Sequence, residues 1–226
     1  SHAEGARTTA SGYSSHAEGY NTTASGKDSH AEGSNTTASG SYSHAEGYST
    51  IASGNHSHAE GYNTTASGYG SHAEGSSATA NNNYSHAEGS NTTASGYGSH
   101  AEGLETTASG NGSHASGNGT KATGDCSTVI GRYNIEDTAN KYSFIIGNGV
   151  IRDKIASNAH TVDWAGNAWY AGSVEAVDGI ILKSTTEGST KRFKITVDDT
   201  GTLTVLEVVE AAAIEVEENI EEIIEE

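Results

Sequence analysis

The chain has 226 residues with 29 acidic and 11 basic side chains, and its formal net charge of −18 excludes nucleic acid and anionic membranes as natural partners. Only 33% of its residues are hydrophobic, against 29 glycines, so a thick apolar core cannot be assembled. The single cysteine, Cys126, excludes an intrachain disulfide framework, and no apolar run approaches the ~20 residues of a membrane helix.

A strict 14-residue repeat fills the first half of the chain. Ser-His-Ala-Glu-Gly starts at Ser1 and recurs up to Ser99, and Ser-His-Ala-Ser-Gly follows at Ser113. A second block, usually Thr-Thr-Ala-Ser-Gly as at Thr22 to Gly26, gives each unit two extended segments separated by two-residue turns. A fixed period of this kind indicates a solenoid rather than a disordered coil. We expect nine coils from Ser1 to Cys126, stacked at ~4.8 Å into a rod roughly 45 Å long.

Alternation along each segment predicts which side chains face inward. We number the coil from 1 at its opening serine. The small residues at positions 1, 3 and 5 and at positions 8, 10 and 12 are predicted to face inward, and positions 2, 4, 9 and 11 outward. Only a narrow roll fits such an interior. The glycines at positions 5 and 12 are expected to supply positive φ before the turns, with Asn82 as the one substitute.

Tyrosines concentrate at the turns and are predicted to lie outside. Packing of the turns is the favoured interpretation, and binding of sugar faces is the alternative. The residues are Tyr13, Tyr20, Tyr42, Tyr48, Tyr62, Tyr69, Tyr84 and Tyr97.

Eight His-x-Glu pairs are predicted to form two parallel columns on one face, which we call the His-Glu ladder. The nine repeats carry a formal charge of −8, which protonation of the eight ladder histidines would cancel, so His-Glu pairing is favoured over metal binding. Such pairing would raise the histidine pKa values above ~6.5 and stabilise the fold at mildly acidic pH. The ladder comprises His2, Glu4, His16, Glu18, His30, Glu32, His44, Glu46, His58, Glu60, His72, Glu74, His86, Glu88, His100 and Glu102.

The unit resembles the head repeat of YadA-like trimeric autotransporter adhesins and the haemagglutinin-type repeat of phage tail fibres, whose pattern runs Ser-Val-Ala-Ile-Gly. The resemblance covers Ser1 to Gly149, and later coils revert toward the family pattern at Ser127 to Gly131 and Ser143 to Gly147. It implies an all-β, left-handed parallel β-roll solenoid that forms an intertwined or side-by-side homotrimer. The family packs Val and Ile between subunits, so the His-Glu ladder is the expected intersubunit surface, ended by an apolar trimer seal of Thr128, Ile130, Phe144 and Ile146.

The C-terminal third differs in composition. The segment from Thr161 to Gly172 looks like the region that follows such repeats in tail proteins of phages infecting Gram-positive hosts, and Trp164 and Trp169 are expected to pack on a small β meander. Alternating or clustered apolar residues predict the meander strands at 180–185, 192–197 and 202–208. The last segment, 210–226, contains eight glutamates and a 3,4,3 apolar spacing, so a short trimer-dependent helix and an acidic tail are both open.

These observations predict four regions: a repeat shaft at 1–126, terminal coils at 127–149, a β-rich region at 150–209 and the acidic segment at 210–226. The favoured function is the non-catalytic, structural and adhesive shaft of a trimeric phage tail fibre or phage-like appendage in host attachment. The alternatives are a trimeric autotransporter-type surface adhesin and an ice-binding solenoid, the latter because position 9 and 11 hydroxyls form a ladder.

We expect an extracellular location on a virion tail fibre or cell-surface appendage, and no membrane insertion. Host-surface glycan and other fibre or baseplate proteins are the expected partners, and no catalytic residue, cofactor or metal is predicted. Because the sequence opens on a repeat boundary without methionine, we expect it to be part of a longer polypeptide.

Overall fold

A computed structural model of the protein describes residues 1–172, 180–183, 192–197 and 203–207, and every helix-or-strand element within these ranges is a β-strand. The chain divides into two compact units, Ser1–Gly172 and Ser173–Glu226. The described residues include no helix long and apolar enough to cross a membrane.

Two parallel sheets run along the repeats, one from each block of the coil. The first block forms a 13-stranded sheet together with the residues that follow the repeats, and the second block forms a 9-stranded sheet. The strands of the first sheet are His2–Ala6, His16–Tyr20, His30–Ser34, His44–Tyr48, His58–Tyr62, His72–Ser76, His86–Ser90, His100–Leu104, His114–Asn118, Thr128–Arg132, Tyr142–Asn148, Asn158–Asp163 and Ala168–Tyr170. Those of the second are Thr9–Ala10, Thr23–Ala24, Thr37–Ala38, Ile51–Ala52, Thr65–Ala66, Thr79–Ala80, Thr93–Ala94, Thr107–Ala108 and Lys121–Ala122.

Identical coil positions pair between neighbouring coils. His16 pairs with His30 and Ala17 with Ala31, and this 14-residue register continues through the repeats. Backbone hydrogen bonds, such as His16 N to Ser29 O at 2.9 Å, join each coil to the next. The predicted β-solenoid with nine repeat coils is therefore confirmed.

The interior consists of small side chains in rows. Alanines at positions 3 and 10 are fully buried from Ala17 onward, between serines at position 1 and threonines at position 8. Each buried serine hydroxyl donates to the carbonyl of the position 12 residue of the coil before it, as Ser29 Oγ does to Gly26 O at 2.7 Å. The predicted inward set is confirmed at positions 1, 3, 8, 10 and 12, and only residues of this size allow the two sheets to approach so closely.

The two glycine positions differ from the predictions made for them. At position 5, positive φ is confirmed, as at Gly19 with φ +108°, but the glycine is exposed, so its inward orientation was wrong. At position 12, the predicted positive φ was wrong: a Cβ on Gly26 would lie 1.9 Å from the carbonyl oxygen of Gly40, which explains the glycine by close approach of neighbouring coils. Positive φ occurs instead at the turn positions 7 and 14, as at Asn21 and Asp28.

Asn82, the one non-glycine at position 12, is accommodated by local rearrangement. A regular coil sends two backbone N–H groups to one alanine carbonyl, as Ser25 and Gly26 do to Ala38 O. At Asn82 the backbone N–H donates to Ser85 Oγ instead, at 3.3 Å, and the side-chain amide donates to Ser95 O at 2.9 Å. A side chain at this position therefore requires replacement hydrogen bonds.

The end of the first unit closes the roll with irregular structure. Thr128–Arg132 pairs in parallel with Tyr142–Asn148, and the following strands, Asn158–Asp163 and Ala168–Tyr170, are antiparallel. Antiparallel strands break the coil geometry, so stacking of the roll stops here.

In the second unit, strands Ile180–Lys183, Arg192–Val197 and Leu203–Glu207 form an antiparallel three-stranded sheet. The predicted meander strands are confirmed. The predicted helix or tail at 210–226 lies outside the described residues, and the packing of Trp164 and Trp169 on the meander stays a prediction.

Candidate binding face on the His-Glu ladder

The parallel register aligns equal side chains one coil apart on the outer surface of the first sheet. Imidazole rings from His2 to His114 form a continuous column with centroid separations of 4.7–5.1 Å. The predicted ladder did not include His114, although Ser-His-Ala-Ser-Gly at Ser113 repeats the same alternation with Ser116 in place of glutamate. The structure thus adds a ninth histidine to the column.

The carboxylates lie beside the imidazoles and change partners along the rod. His16 and His30 have their Nε2 atoms 3.8 Å from the glutamates of their own coils, Glu18 and Glu32. From His58 onward each histidine meets the glutamate of the preceding coil, and His58 Nε2 lies 3.4 Å from Glu46 Oε1.

His44 lies at the change of partner. Among the residues that the structure describes, no carboxylate oxygen is within 4.0 Å of its Nε2 atom, because Glu32 faces His30 and Glu46 faces His58. Within the described residues, the ladder therefore contains two histidines without an ionic partner, His44 in the middle of the column and His2 at its end.

The ladder is half-buried, and this burial shifts the histidine pKa values. The pKa values of His44, His72 and His86 are lowered, first by burial, which penalises the charged imidazolium, and then by the neighbouring histidine of the stack. Nearby glutamates oppose the shift without reversing it. The expected rise in pKa was therefore wrong for these three histidines, because burial and, after it, the neighbouring imidazole both penalise protonation.

Open grooves run beside the column of carboxylates. One of about 800 Å³ extends from Glu46 to Gly117 and is lined by residues at positions 4 and 5 of successive coils. A second of about 530 Å³ continues it from Glu4 to Gly47. The position 5 glycines thus leave a continuous channel along the glutamates.

A family model described as YadA head domain repeat (2 copies) matches residues 3–29, 31–57, 59–85, 87–113 and 108–134, which is more than half of the chain. The chain belongs to the YadA head domain repeat family. This is a family of trimeric autotransporter-like adhesins that are generally non-enzymatic, and it suggests a surface-exposed protein. No curated protein matches the chain.

The predicted apolar seal lies next to the end of the His-Glu ladder, on the same face of the YadA head repeat. Thr128 pairs in register with His114, and Phe144 and Ile146 follow on the next strand, opposite Thr128 and Ile130. All four seal side chains are half-buried. The structure therefore aligns the predicted seal with the ladder, whereas their role between subunits stays a prediction.

A second surface of the YadA head repeat carries aromatic rings at the turns. The eight predicted tyrosines are all exposed, as expected. Between Tyr42 and Tyr97 a row also includes His56, Tyr69 and Tyr84, with neighbouring ring centroids 4.9–5.6 Å apart. These contacts support the turn-packing interpretation, because each ring covers the next one.

Proposed function

We propose that the chain is the shaft of a homotrimeric attachment fibre and that the His-Glu ladder with its apolar seal is the face that meets the other two copies. The observation that carries the proposal is the alignment of Phe144 and Ile146 with the ladder on one straight, half-buried face. A soluble protein gains by covering apolar side chains that lie together on its surface. YadA-type heads are typically trimeric. The resemblance implies that positions 2 and 4 of the repeat pack between subunits, and in this chain His and Glu occupy those positions on the ladder.

The narrow interior is a second argument for assembly. Alanine, serine, threonine and glycine fill the roll, and the largest fully buried side chains in the described part of the chain are Ile145 and Val129, both beyond the repeats. Small side chains bury little apolar area, at ~25 cal/mol per Å². Association of three rolls would supply the burial that the interior of one roll does not.

The finer proposal is a phage tail fibre or phage-like appendage that acts outside the cell in attachment to a host surface, with glycan and other fibre or baseplate proteins as partners. The segment after the coils, Thr161 to Gly172, supports it by its resemblance to phage tail proteins. A trimeric autotransporter-type surface adhesin is the second candidate, which the family match favours.

The ice-binding alternative is the least supported. Such a surface needs an exposed and unbroken hydroxyl array. From Thr23 onward the position 9 column is half-buried at its threonines, and it is interrupted by the exposed side chains of Ile51 and Lys121.

The fluorescently labelled chain, incubated with bacterial envelopes and with animal cells, separates the two candidates. Saturable binding to envelopes supports the tail fibre, and binding restricted to animal cells supports the autotransporter adhesin. Binding to neither would contradict an attachment function for this segment. Thermal hysteresis measured on the same sample would reveal ice binding.

A further inference from the structure

Four groups on the ladder bring together three side chains of the kind that ligate metal ions. In each group one ligand atom per residue lies within 4.8 Å of the other two. Two of these groups have the composition His-Glu-His, and they consist of His44, Glu46 and His58, and of His86, Glu88 and His100. Two imidazoles and one carboxylate form a typical donor set for Zn²⁺ and related transition metals.

Each His-Glu-His group already contains one edge of a tetrahedral site. Ligand atoms ~2.0–2.1 Å from a tetrahedral metal lie ~3.4 Å from each other. His58 Nε2 is 3.4 Å from Glu46 Oε1, and His100 Nε2 is 3.3 Å from Glu88 Oε1. Each of these two pairs can therefore ligate its own ion without a large movement of either side chain.

The third ligand in each group is a histidine whose Nε2 atom makes no hydrogen bond within the described residues, although that of His86 lies 3.8 Å from Glu74 Oε1. The Nε2 atoms of His44 and His86 are buried from solvent and have no hydrogen-bond partner within the described part of the chain. A shift of about 1.4 Å or less would bring either atom from the 4.8 Å limit to the tetrahedral spacing.

The two His-Glu-Glu groups fit a metal less well. Their shortest His–Glu distances, His30 to Glu32 and His72 to Glu60, are 3.8 and 3.9 Å. His114 and Glu102 are 3.4 Å apart but belong to none of the four groups, so this pair lacks a third ligand.

We propose that His44, Glu46 and His58 bind one divalent transition-metal ion and that His86, Glu88 and His100 bind a second. The two sites are three coils apart, or ~14 Å, so the ions occupy them independently. Three protein ligands leave a fourth tetrahedral position for water or for a ligand from another copy. The proposal goes beyond the attachment function and revises the sequence-based expectation that the ladder binds no metal.

Zn²⁺ titration of the full chain, freed of metal by chelation and carrying no polyhistidine tag, tests the proposal by calorimetry. We expect two tight sites per chain and no comparable binding of Mg²⁺, which prefers oxygen ligands. Loss of one ligand from each site, in a chain carrying both His44→Ala and His86→Ala, should weaken Zn²⁺ binding by at least ~10-fold. A chain with Glu46→Gln and Glu88→Gln keeps side-chain shape and should show the same loss.

His114→Ala is the matched control, because it removes a ladder histidine that faces a glutamate at the same distance and supplies no ligand to either site, although its ring stacks on that of His100. It should retain both tight sites. Absence of saturable Zn²⁺ binding, or equal affinity in the parent chain and the two double variants, would overturn the proposal. Equal weakening by His114→Ala would also overturn it, since binding would then be a general property of the histidine column. Mass measured on each sample separates loss of metal from loss of assembly.

Discussion

Asn134 hydrogen-bonds to the backbone of Lys121 through both ends of its side-chain amide. Its Oδ1 accepts from Lys121 N at 2.7 Å and its Nδ2 donates to Lys121 O at 3.0 Å. These bonds replace the strand that a further coil would have paired with Lys121–Ala122. A side chain therefore caps the last edge of the second sheet, where unpaired backbone would invite further strand pairing.

Replacing this cap should destabilise the end of the shaft. Asn134 is 3% exposed, so Asn134→Ala leaves buried backbone groups unpaired, at an expected cost of ~2 kcal/mol in the free energy of unfolding. Chemical denaturation measures the change. The control is Asn111→Ala, which removes one exposed hydrogen bond to Tyr97 N and should cost less than ~1 kcal/mol. Equal effects would show that Asn134 is not a special cap.

Threonine hydroxyls inside the roll offer a stabilising substitution. The Oγ1 atom of Thr36 is buried and has no hydrogen-bond partner within the described residues. Ala78 occupies the same position of the coil three coils later, so the fold does not require a hydroxyl there. Thr36→Val keeps the shape and removes the unsatisfied hydroxyl, so we expect a gain of ~1 kcal/mol. Thr120 Oγ1 donates to Ser116 O at 3.2 Å, and Thr120→Val should lose stability instead. A lower melting temperature for both variants would contradict the interpretation that the hydroxyl of Thr36 is unsatisfied.

Alanine at a regular position 12 should be strongly destabilising, because it lacks the side-chain amide with which Asn82 makes a replacement hydrogen bond. A Cβ on Gly40 would lie 2.0 Å from Gly54 O, which is backbone that cannot move without separating the coils. Gly40→Ala should therefore lower the free energy of unfolding by more than ~3 kcal/mol or prevent folding of the shaft.

Gly98→Ala is the control, because its φ is +58° and a Cβ there would meet nothing within 4 Å in the described structure. It should cost only ~1 kcal/mol for the left-handed backbone. Thermal melting followed by circular dichroism measures the stability of both variants. A Gly40→Ala chain as stable as the unaltered chain would contradict close approach of the coils as the reason for glycine at position 12.

The pH dependence of stability follows from the lowered histidine pKa values. The ring of His44 stacks between His30 and His58, with Glu32 and Glu46 nearby, and burial and the two rings outweigh the carboxylates. The unfolded chain binds protons below pH ~6.5, whereas the folded chain does so only at lower pH. The free energy of unfolding should therefore be unaffected by these histidines above pH ~6.5. It should decrease as the pH falls through that value toward the folded-state pKa values.

Thermal melting in chelator at pH 8 and at pH ~5.5 tests this sign while leaving the carboxylates ionised. The melting temperature should be lower at pH 5.5. Replacing His44, His72 and His86 by glutamine should reduce the difference. A higher melting temperature at pH 5.5 would restore the pairing hypothesis that the sequence alone favoured.

The sequence predicts the coil because its signal is carried by every repeat. Alternation around Ala17 and Ala24 is enough to place the interior, and the 14-residue period sets the register of His16 on His30. The role of Gly26 could not be predicted, since it depends on the distance to the next coil rather than on local conformation. The change of partner at His44 could not be predicted either. Coils of identical sequence do not indicate that one glutamate pairs with the histidine of its own coil and the next with the histidine of the following coil. The direction of the histidine pKa shifts depended first on how far the imidazoles are buried, which the residue pattern does not show.

The mass of the particle in solution tests the central claim most directly. Sedimentation equilibrium of the intact chain should give three times the 23.1 kDa of one copy over a wide range of protein concentration. Phe144→Asp together with Ile146→Asp should shift the mass toward that of one copy, because the altered side chains lie on the proposed contact face. A single 23.1 kDa species at high concentration of the unaltered chain would contradict the trimeric shaft.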